Sequence, residues 1–342
     1  SSDIWKRMVA TKTVLIAKES MIKYTFLLPA YKSKFFAEAL QSIKGQTYRD
    51  FKVIVSDDCS PEDLKSIYDK EVGDDSRFTY RRNEENMGSK SLVSHWNMLV
   101  DMCDTEYLIM ASDDDVYESN YLEEIESLTQ NFPSVNLFRS RVRMIDENGE
   151  LLGTDIMLEP YQEQLTFVYH FFCHKLIKCI ANYTIRTSAI KKIGGFYDFP
   201  LAWGSDDATM LLLCKDGICH TPSIDLSFRF SGINISATPD NSVIRKKSKA
   251  RILFMQFLRT YLIELSHVQK SKIDTLHYRT ILYTIRKGPY MEGFLYAAEI
   301  SPFKEMRTCY QYLKQEGILT GHLDKIHFIW SWLRAYKVRK NS

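Results

Sequence analysis

The sequence predicts an open α/β sheet, mostly parallel and flanked by helices, followed by a helical C-terminal region. Three observations predict it. Between residues 23 and 112, short apolar runs alternate with segments of helical periodicity, the rhythm of βαβ units. Two of those runs end in aspartates, Asp57-Asp58 and Asp113-Asp114-Asp115. In open parallel sheets ligands bind beyond the strand C-termini, so both clusters should lie on one edge. Beyond residue 240, Phe254, Phe257, Leu258, Tyr261, Leu262 and Leu265 recur at three- and four-residue spacing, as on one face of a helix.

The elements follow in order. Residues 1–20 read as a loosely defined lead-in. KYTFLLPAY (23–31) is a buried strand ending near a proline. KFFAEALQSIKGQ (34–46) puts Phe36, Leu40 and Ile43 on one helical face. DFKVIVSDD (50–58) is a second buried strand, and Ser60-Pro61-Glu62-Asp63 predicts a helix start with Ser60 as cap and Pro61 in the first helical position. RFTYRRNEENMGS (77–89) predicts a short strand and a turn, KSLVSHWNMLVDMC (90–103) a helix, and EYLIMAS (106–112) the next strand. A helix is expected over 119–130, and residues 116–240 read as mixed.

Composition bounds the class. Of 342 residues, 45% are hydrophobic and 26% charged, which predicts an ordinary globular chain. Seven cysteines at 59, 103, 173, 179, 214, 219 and 309 form no C-x-x-C pair, which argues against a disulfide framework or zinc ribbon and for a reducing compartment. With no secretory pattern and no apolar run near 18 residues, the expected location is cytoplasmic. The net charge of +2 hides an asymmetry: residues 241–342 hold 19 Lys+Arg against 7 Asp+Glu, a balance of +12, which leaves −10 for the rest. The basic tail admits a peripheral contact with an anionic membrane face, or equally a helical subdomain packed on the first part of the chain or a dimer interface. The acidic front offers no groove for nucleic acid.

Three adjacent carboxylates raise a physical problem. Each close pair costs roughly 3 kcal/mol at about 5 Å and an effective dielectric near 20, before screening. A cation at Asp113–Asp115 would remove it.

Taken as an ordered set, LLPAYKSKFFAEALQSIKGQTYRDFKVIVSDDCSPED, NEENMG and ASDDDVY resemble the nucleotide-sugar-binding half of family 2 glycosyltransferases of the GT-A fold, with similarity over about 21–235. The resemblance implies a glycosyltransferase domain at 21–240, divided into a nucleotide-binding half (21–115) and an acceptor half (116–240), ahead of a basic helical region at 241–342. It also implies inverting transfer from a nucleotide diphosphate-sugar with Mn²⁺ or Mg²⁺. By the same resemblance Asp114 is a metal ligand, with Asp115 beside it and Asp113 orienting ribose, water or metal. Ser112 stands where the family more often has another Asp, which leaves the division among the three open. Asp58 takes the base-binding role, commonly toward uracil N3–H, which implies a UDP-sugar. Pro29, Ala30 and Tyr31 match the opening turn, and Asn86 and Gly88 the N-x-G turn that approaches the nucleotide. Trp96 stands where relatives often carry an Arg, and Lys90 is a candidate replacement for that charge.

The acceptor half resembles the family in Asp206-Asp207, preceded by Gly194-Gly195-Phe196. Asp207 is the implied general base and Asp206 the residue that holds geometry or raises its neighbour's basicity, with the reverse assignment open. Trp203 is a candidate for stacking on the acceptor sugar, and Arg229 and Ser231 for clasping the diphosphate. Plain structural readings stand beside these: an acidic turn at 113–115, helix capping around Ser60 and by Ser205, core packing for Tyr31 and Trp203. His95, His174 and His220 read as structural. The expected acceptor is a glycan or a lipid-linked glycan in bacterial surface-polysaccharide assembly. Two rivals are a nucleotidyltransferase, disfavoured because LLPAYKSK has no glycine, and a non-catalytic sugar-nucleotide or glycan-binding module.

Overall fold

The computed structural model describes residues 22–173, 176–231 and 241–268, with individual helical positions between 306 and 333. The lead-in at 1–20 and His174 therefore lie outside the described residues.

β1 (Tyr24–Ala30) is the axis of the sheet. It pairs in parallel with β2 (Phe51–Asp57) on one side and β4 (Tyr107–Met110) on the other, and β2 pairs in parallel with β3 (Phe78–Arg82). The sheet continues beyond β4 through β9 (Tyr183–Arg186), which is antiparallel, then β6 (Leu137–Ile145), β10 (Ile218–Arg229) and the short β5 (Val116–Tyr117). β7 (Leu151–Thr154) and β8 (Tyr161–Gln162) add to β6 and β10. A mostly parallel open sheet with a mixed far half is the expected fold.

Alternation along the strands explains the layers. On β1 Leu27 faces one core while Phe26 and Leu28 face the other; on β4 Leu108 and Met110 oppose Tyr107 and Ile109. Both faces are buried, so these strands are continuous apolar runs. α1 (Phe36–Lys44), α2 (Leu64–Val72) and α4 (Tyr121–Asn131) cover the Phe26 face. α3 (Gly88–Met102), α5 (Gln164–Cys173), α6 (Thr187–Lys192), α7 (Ser205–Leu213) and α8 (Asn241–Val268) cover the Leu27 face. Each fully buried Leu or Phe contributes about 1.5–3 kcal/mol. Phe254, Leu258, Tyr261, Leu262 and Leu265 of α8 are buried in that second core.

Two helix starts differ from the sequence reading. α2 begins at Leu64, capped by Asp63, whose carboxylate accepts the Ser66 N–H at 3.1 Å. Ser60 does not cap α2; its hydroxyl donates to Tyr31 O at 2.6 Å, tying the turn back to β1, and accepts the Glu62 N–H at 3.1 Å ahead of the helix. α3 begins at Gly88 rather than near 90 and breaks its helical geometry at Ser91, where φ is −154° and ψ 110°.

Candidate active site

The C-terminal end of β1 collects both aspartate clusters. Ala30 O accepts the Asp58 N–H at 2.9 Å. One carboxylate oxygen of Asp113 accepts the N–H groups of Tyr31 and Lys32, at 2.8 and 2.9 Å. Residues 57–58 and 113–115, over 50 positions apart in sequence, therefore meet on three consecutive backbone units. The expectation that they share one sheet edge holds because β2 and β4 flank the same strand in parallel.

Within the first pair the roles divide sharply. Asp57 is fully buried and held by its neighbours: it accepts from Tyr80 Oη at 2.5 Å, from the Ser60 N–H at 2.8 Å and from the Arg82 guanidinium. Asp58 faces the N-x-G turn. It accepts from Asn83 Nδ2 at 2.8 Å, the Met87 N–H at 2.9 Å and the Gly88 N–H at 2.7 Å. A Cβ on Gly88 would sit 2.9 Å from Asp58 Oδ2, so only glycine lets the turn approach this closely. Asn86 Oδ1 accepts the Ser89 N–H at 2.8 Å and closes the first turn of α3. Beneath them His95, buried and held below its usual range by desolvation, touches Ser56 Oγ at 2.9 Å. The structural reading of His95 is what the geometry has.

At 113–115 the carboxylates are crowded. Burial and the neighbouring Asp114 push Asp113 up to about 6, and Asp115 rises well above the usual carboxylate range for the same two reasons. Asp115 accepts the Arg229 N–H at 2.9 Å through one oxygen, and Asp114 accepts from the Ser112 hydroxyl. Among the described residues neither Asp114 nor Asp115 forms an ion pair, and no three His, Cys, Asp or Glu side chains converge into a closed metal site. Asp114 and Asp115 carry hard oxygen donors, the kind that Mg²⁺ or Mn²⁺ takes.

Arg229, expected to clasp the diphosphate, ends β10 beside the aspartate loop. It is 2% exposed. Its guanidinium pairs with Glu38 at 2.6 Å, donates to Asp114 O at 3.0 Å and lies 4.2 Å from the Phe35 ring centroid. Its side chain is a brace that joins α1 to the aspartate loop. Ser231 follows it, half-buried, just past the end of β10.

The second acidic pair is positioned through glycine. Gly195 has φ +93°, and a Cβ there would meet Asn97 Oδ1 at 2.5 Å. That approach lets Asn97 of α3 accept the Phe196 N–H at 2.7 Å and donate to Phe196 O at 3.2 Å. The loop then reaches α7, where Thr209 Oγ1 accepts the Tyr197 N–H at 2.9 Å and Ser205 Oγ accepts the Phe199 N–H at 3.0 Å. Ser205 is thus not the cap of α7; the cap position is Gly204, at φ +84°, with no side-chain bond. Asp206 and Asp207 stand half-buried in the first turn.

Their environments differ. Lys178 Nζ lies 2.9 Å from Asp207 Oδ2 and 4.1 Å from the Phe171 ring centroid. Asp206 has no side-chain partner among the described residues, and burial together with Asp207 pushes it up to about 7. Cys179, adjacent to Lys178, is buried, and burial first and Asp115 next push its thiol well above the usual range. Trp203 is half-buried, with the Lys247 ammonium 4.8 Å from its ring centroid. Trp96 is core, packed edge-on against Phe196, and Lys90 pairs with Glu85 at 2.6 Å.

Sequence reading missed Lys178 and the buried pair behind it. Asp155 accepts the Ile177 N–H at 3.1 Å, Arg139 donates to Ile177 O at 2.8 Å, and the two side chains form a fully buried ion pair. They grip both backbone groups of the residue next to Lys178. No motif marks them: Arg139 is one of three arginines in β6, and only its burial in the fold sets it apart.

Comparisons with known proteins add the family. Residues 25–194 match the model of glycosyl transferase family 2. An uncharacterized glycosyltransferase of Methanocaldococcus jannaschii is 24% identical over 161 residues, 47% of this chain and 53% of that protein. The GalNAc(5)-diNAcBac-PP-undecaprenol β-1,3-glucosyltransferase of Campylobacter jejuni is 29% identical over 106 residues, 31% of this chain and 34% of that protein. The chain thus spans about half and about a third of the length of these curated relatives. Among solved structures, residues 1–349 of S. aureus TarS in complex with UDP-GlcNAc superpose with a TM-score of 0.61 at 14% identity, covering 93% of this chain and 92% of that one. A further crystal structure of S. aureus TarS 1–349 gives 0.58 at 15% identity, covering 94% of this chain and 92% of that one. These likenesses establish a shared fold.

Proposed function

We propose, from the premise that this chain belongs to glycosyl transferase family 2 over residues 25–194, that it transfers a sugar from a nucleotide diphosphate-sugar, a UDP-sugar, to an acceptor hydroxyl with inversion at the anomeric carbon. The observation that carries this reading is the convergence of Asp58 and Asp113–Asp115 on the Ala30–Lys32 backbone, with a second acidic pair on α7.

In this reading the 29–31 turn and the Asp58-braced 86–88 turn form the nucleotide pocket. Asp58 has three of its roughly four acceptor positions filled, which leaves one for a base N–H. Asp114 and Asp115 would hold a divalent cation, which when bound would supply neutralisation of the departing diphosphate, and Asp113 fixes the loop to β1. Asp207, paired with Lys178, takes the acceptor proton as general base. Asp206, with an affinity for protons near neutrality, holds the acceptor hydroxyl by hydrogen bonding. Trp203 borders the acceptor side. The acceptor is a glycan or lipid-linked glycan of bacterial surface-polysaccharide assembly; the undecaprenol-linked substrate in the name of the C. jejuni relative supports that class.

Calorimetric titration of UDP, GDP and CMP, with and without Mn²⁺, tests the reading on wild type and Asp114→Asn. Metal-dependent UDP binding that disappears in Asp114→Asn supports it. Binding that ignores both metal and Asp114, or no nucleotide binding at all, reduces the triple aspartate to an acidic turn.

A further inference from the structure

A helix that is apolar on two faces needs two partners. Near the C-terminus, Phe328 and Trp332 are 1% and 2% exposed, with their rings stacked at 6.1 Å and Tyr310 edge-on to Phe328. The helical positions between them and around them point the other way. Ile326, Ile329, Trp330 and Leu333 are 59%, 48%, 67% and 58% exposed. Their spacing of three, four and seven residues from Ile326 places them on one stripe. Four large apolar side chains left bare together, rather than scattered, mark an interaction surface.

We infer that this stripe is a docking surface for an anionic lipid bilayer, with Trp330 and its apolar neighbours entering the headgroup region. Charge argues for that occupant. Between 306 and 333 the sequence holds Arg307, Lys314 and Lys325 against Glu316 and Asp324. The sequence that follows the stripe adds Arg334, Lys337, Arg339 and Lys340, with no acidic residue after Asp324. Apolar and tryptophan side chains on one helical face with Lys and Arg beside them are the composition of interfacial helices. Lying on the surface rather than crossing is the fitting mode, since no helix among the described residues is long and apolar enough to span a membrane. The inference stands apart from the glycosyltransferase reading, because its test reads partitioning and not turnover.

The test is vesicle co-flotation of the full chain with phosphatidylcholine alone and with phosphatidylcholine containing phosphatidylglycerol, at low and high salt. Wild type should float with the anionic vesicles, bind neutral ones weakly, and be released by salt. Ile329→Glu with Trp330→Glu should lower the bound fraction at least about tenfold, while thermal melting and nucleotide titration stay at wild-type values. Because that double variant could misfold, Trp330→Phe provides a second reading: it keeps the stripe apolar, so it should bind, and it should remove the blue shift of tryptophan emission seen when wild type meets anionic vesicles. Three results overturn the inference: no flotation with anionic vesicles, equal flotation of the well-folded double variant, or a concentration-dependent dimer in light scattering that the double variant abolishes. The last would assign the stripe to a second copy of this chain.

Discussion

Lys178 Nζ and Asp207 Oδ2 are 2.9 Å apart, and this one contact makes two adjacent aspartates chemically unequal. Asp207 has a cation; Asp206 has burial and a like charge. Lys178 is itself half in solvent, its side chain 32% exposed, so the pair contributes little to stability and its effect should be read in turnover. Asp207→Asn is expected to lower kcat by about 10²–10⁴, the usual cost of removing a general base. Lys178→Met should lower kcat about tenfold, the equivalent of ~1.4 kcal/mol, with donor KM nearly unchanged. Release of nucleoside diphosphate at saturating donor reads both. Wild-type kcat in Lys178→Met would mean that the lysine is a surface partner only.

Asp206 gives a stability prediction with a definite sign. Its folded-state pKa is raised, to about 7 from the 3.8 of an unperturbed Asp, by burial first and Asp207 second. Between those values the folded state binds more protons than the unfolded one, so stability falls as pH rises through that window. Above about pH 7 the full cost of a buried charge is present. Asp206→Asn should therefore melt about 2–4 °C above wild type at pH 8 and show no gain near pH 4. Differential scanning calorimetry at the two pH values decides it, and a pH-independent difference would refute the raised affinity.

Much of this architecture was legible in the sequence because it is local or periodic. Alternating apolar runs gave β1, β2 and β4, and the aspartates at their ends gave the sheet edge. Pairings across long sequence separations were not legible. Arg229 reads as a candidate diphosphate clasp after a strand; only the fold brings it to Glu38, 191 positions away. Lys178 belongs to no motif, and the Arg139–Asp155 pair that fixes its neighbour joins two different strand regions. Ser60 and Ser205 both look like helix caps, and both hydroxyls are instead drawn into tertiary bonds, to Tyr31 and Phe199. Local capping chemistry was correct in kind and overruled by a better-placed partner.

Gly195 should tolerate no side chain. Its φ of +93° already disfavours any L-residue, and a Cβ would meet Asn97 Oδ1 at 2.5 Å. Gly195→Ala should cost about 2–3 kcal/mol, with Asn97 displaced from Phe196. Since Phe196 leads directly to α7, the same variant should lose kcat beyond what its fraction folded explains. Urea denaturation monitored by tryptophan fluorescence, followed by turnover normalised to folded protein, separates the two effects. Wild-type stability would show that the loop accommodates the methyl group by moving.

Asp58 is the residue where positioning and recognition meet, and the two roles predict different losses. Its carboxylate accepts the Met87 and Gly88 N–H groups and Asn83 Nδ2. Asn at this position offers one acceptor oxygen and turns an NH₂ toward a donor, so at least one buried N–H loses its partner, at about 1–3 kcal/mol. If Asp58 only braces the turn, Asp58→Asn and Gly88→Ala should behave alike, because a Cβ on Gly88 would come within 2.9 Å of the same carboxylate. Both would then lower Tm and weaken all nucleotides by a similar factor. If Asp58 also reads the base, Asp58→Asn should lose UDP at least about tenfold more than it loses other nucleotides, whereas Gly88→Ala should weaken them evenly. Calorimetric titration of UDP, GDP and CMP on the two variants measures that ratio. We expect the uneven loss, since one acceptor position of Asp58 is left over after the turn is satisfied.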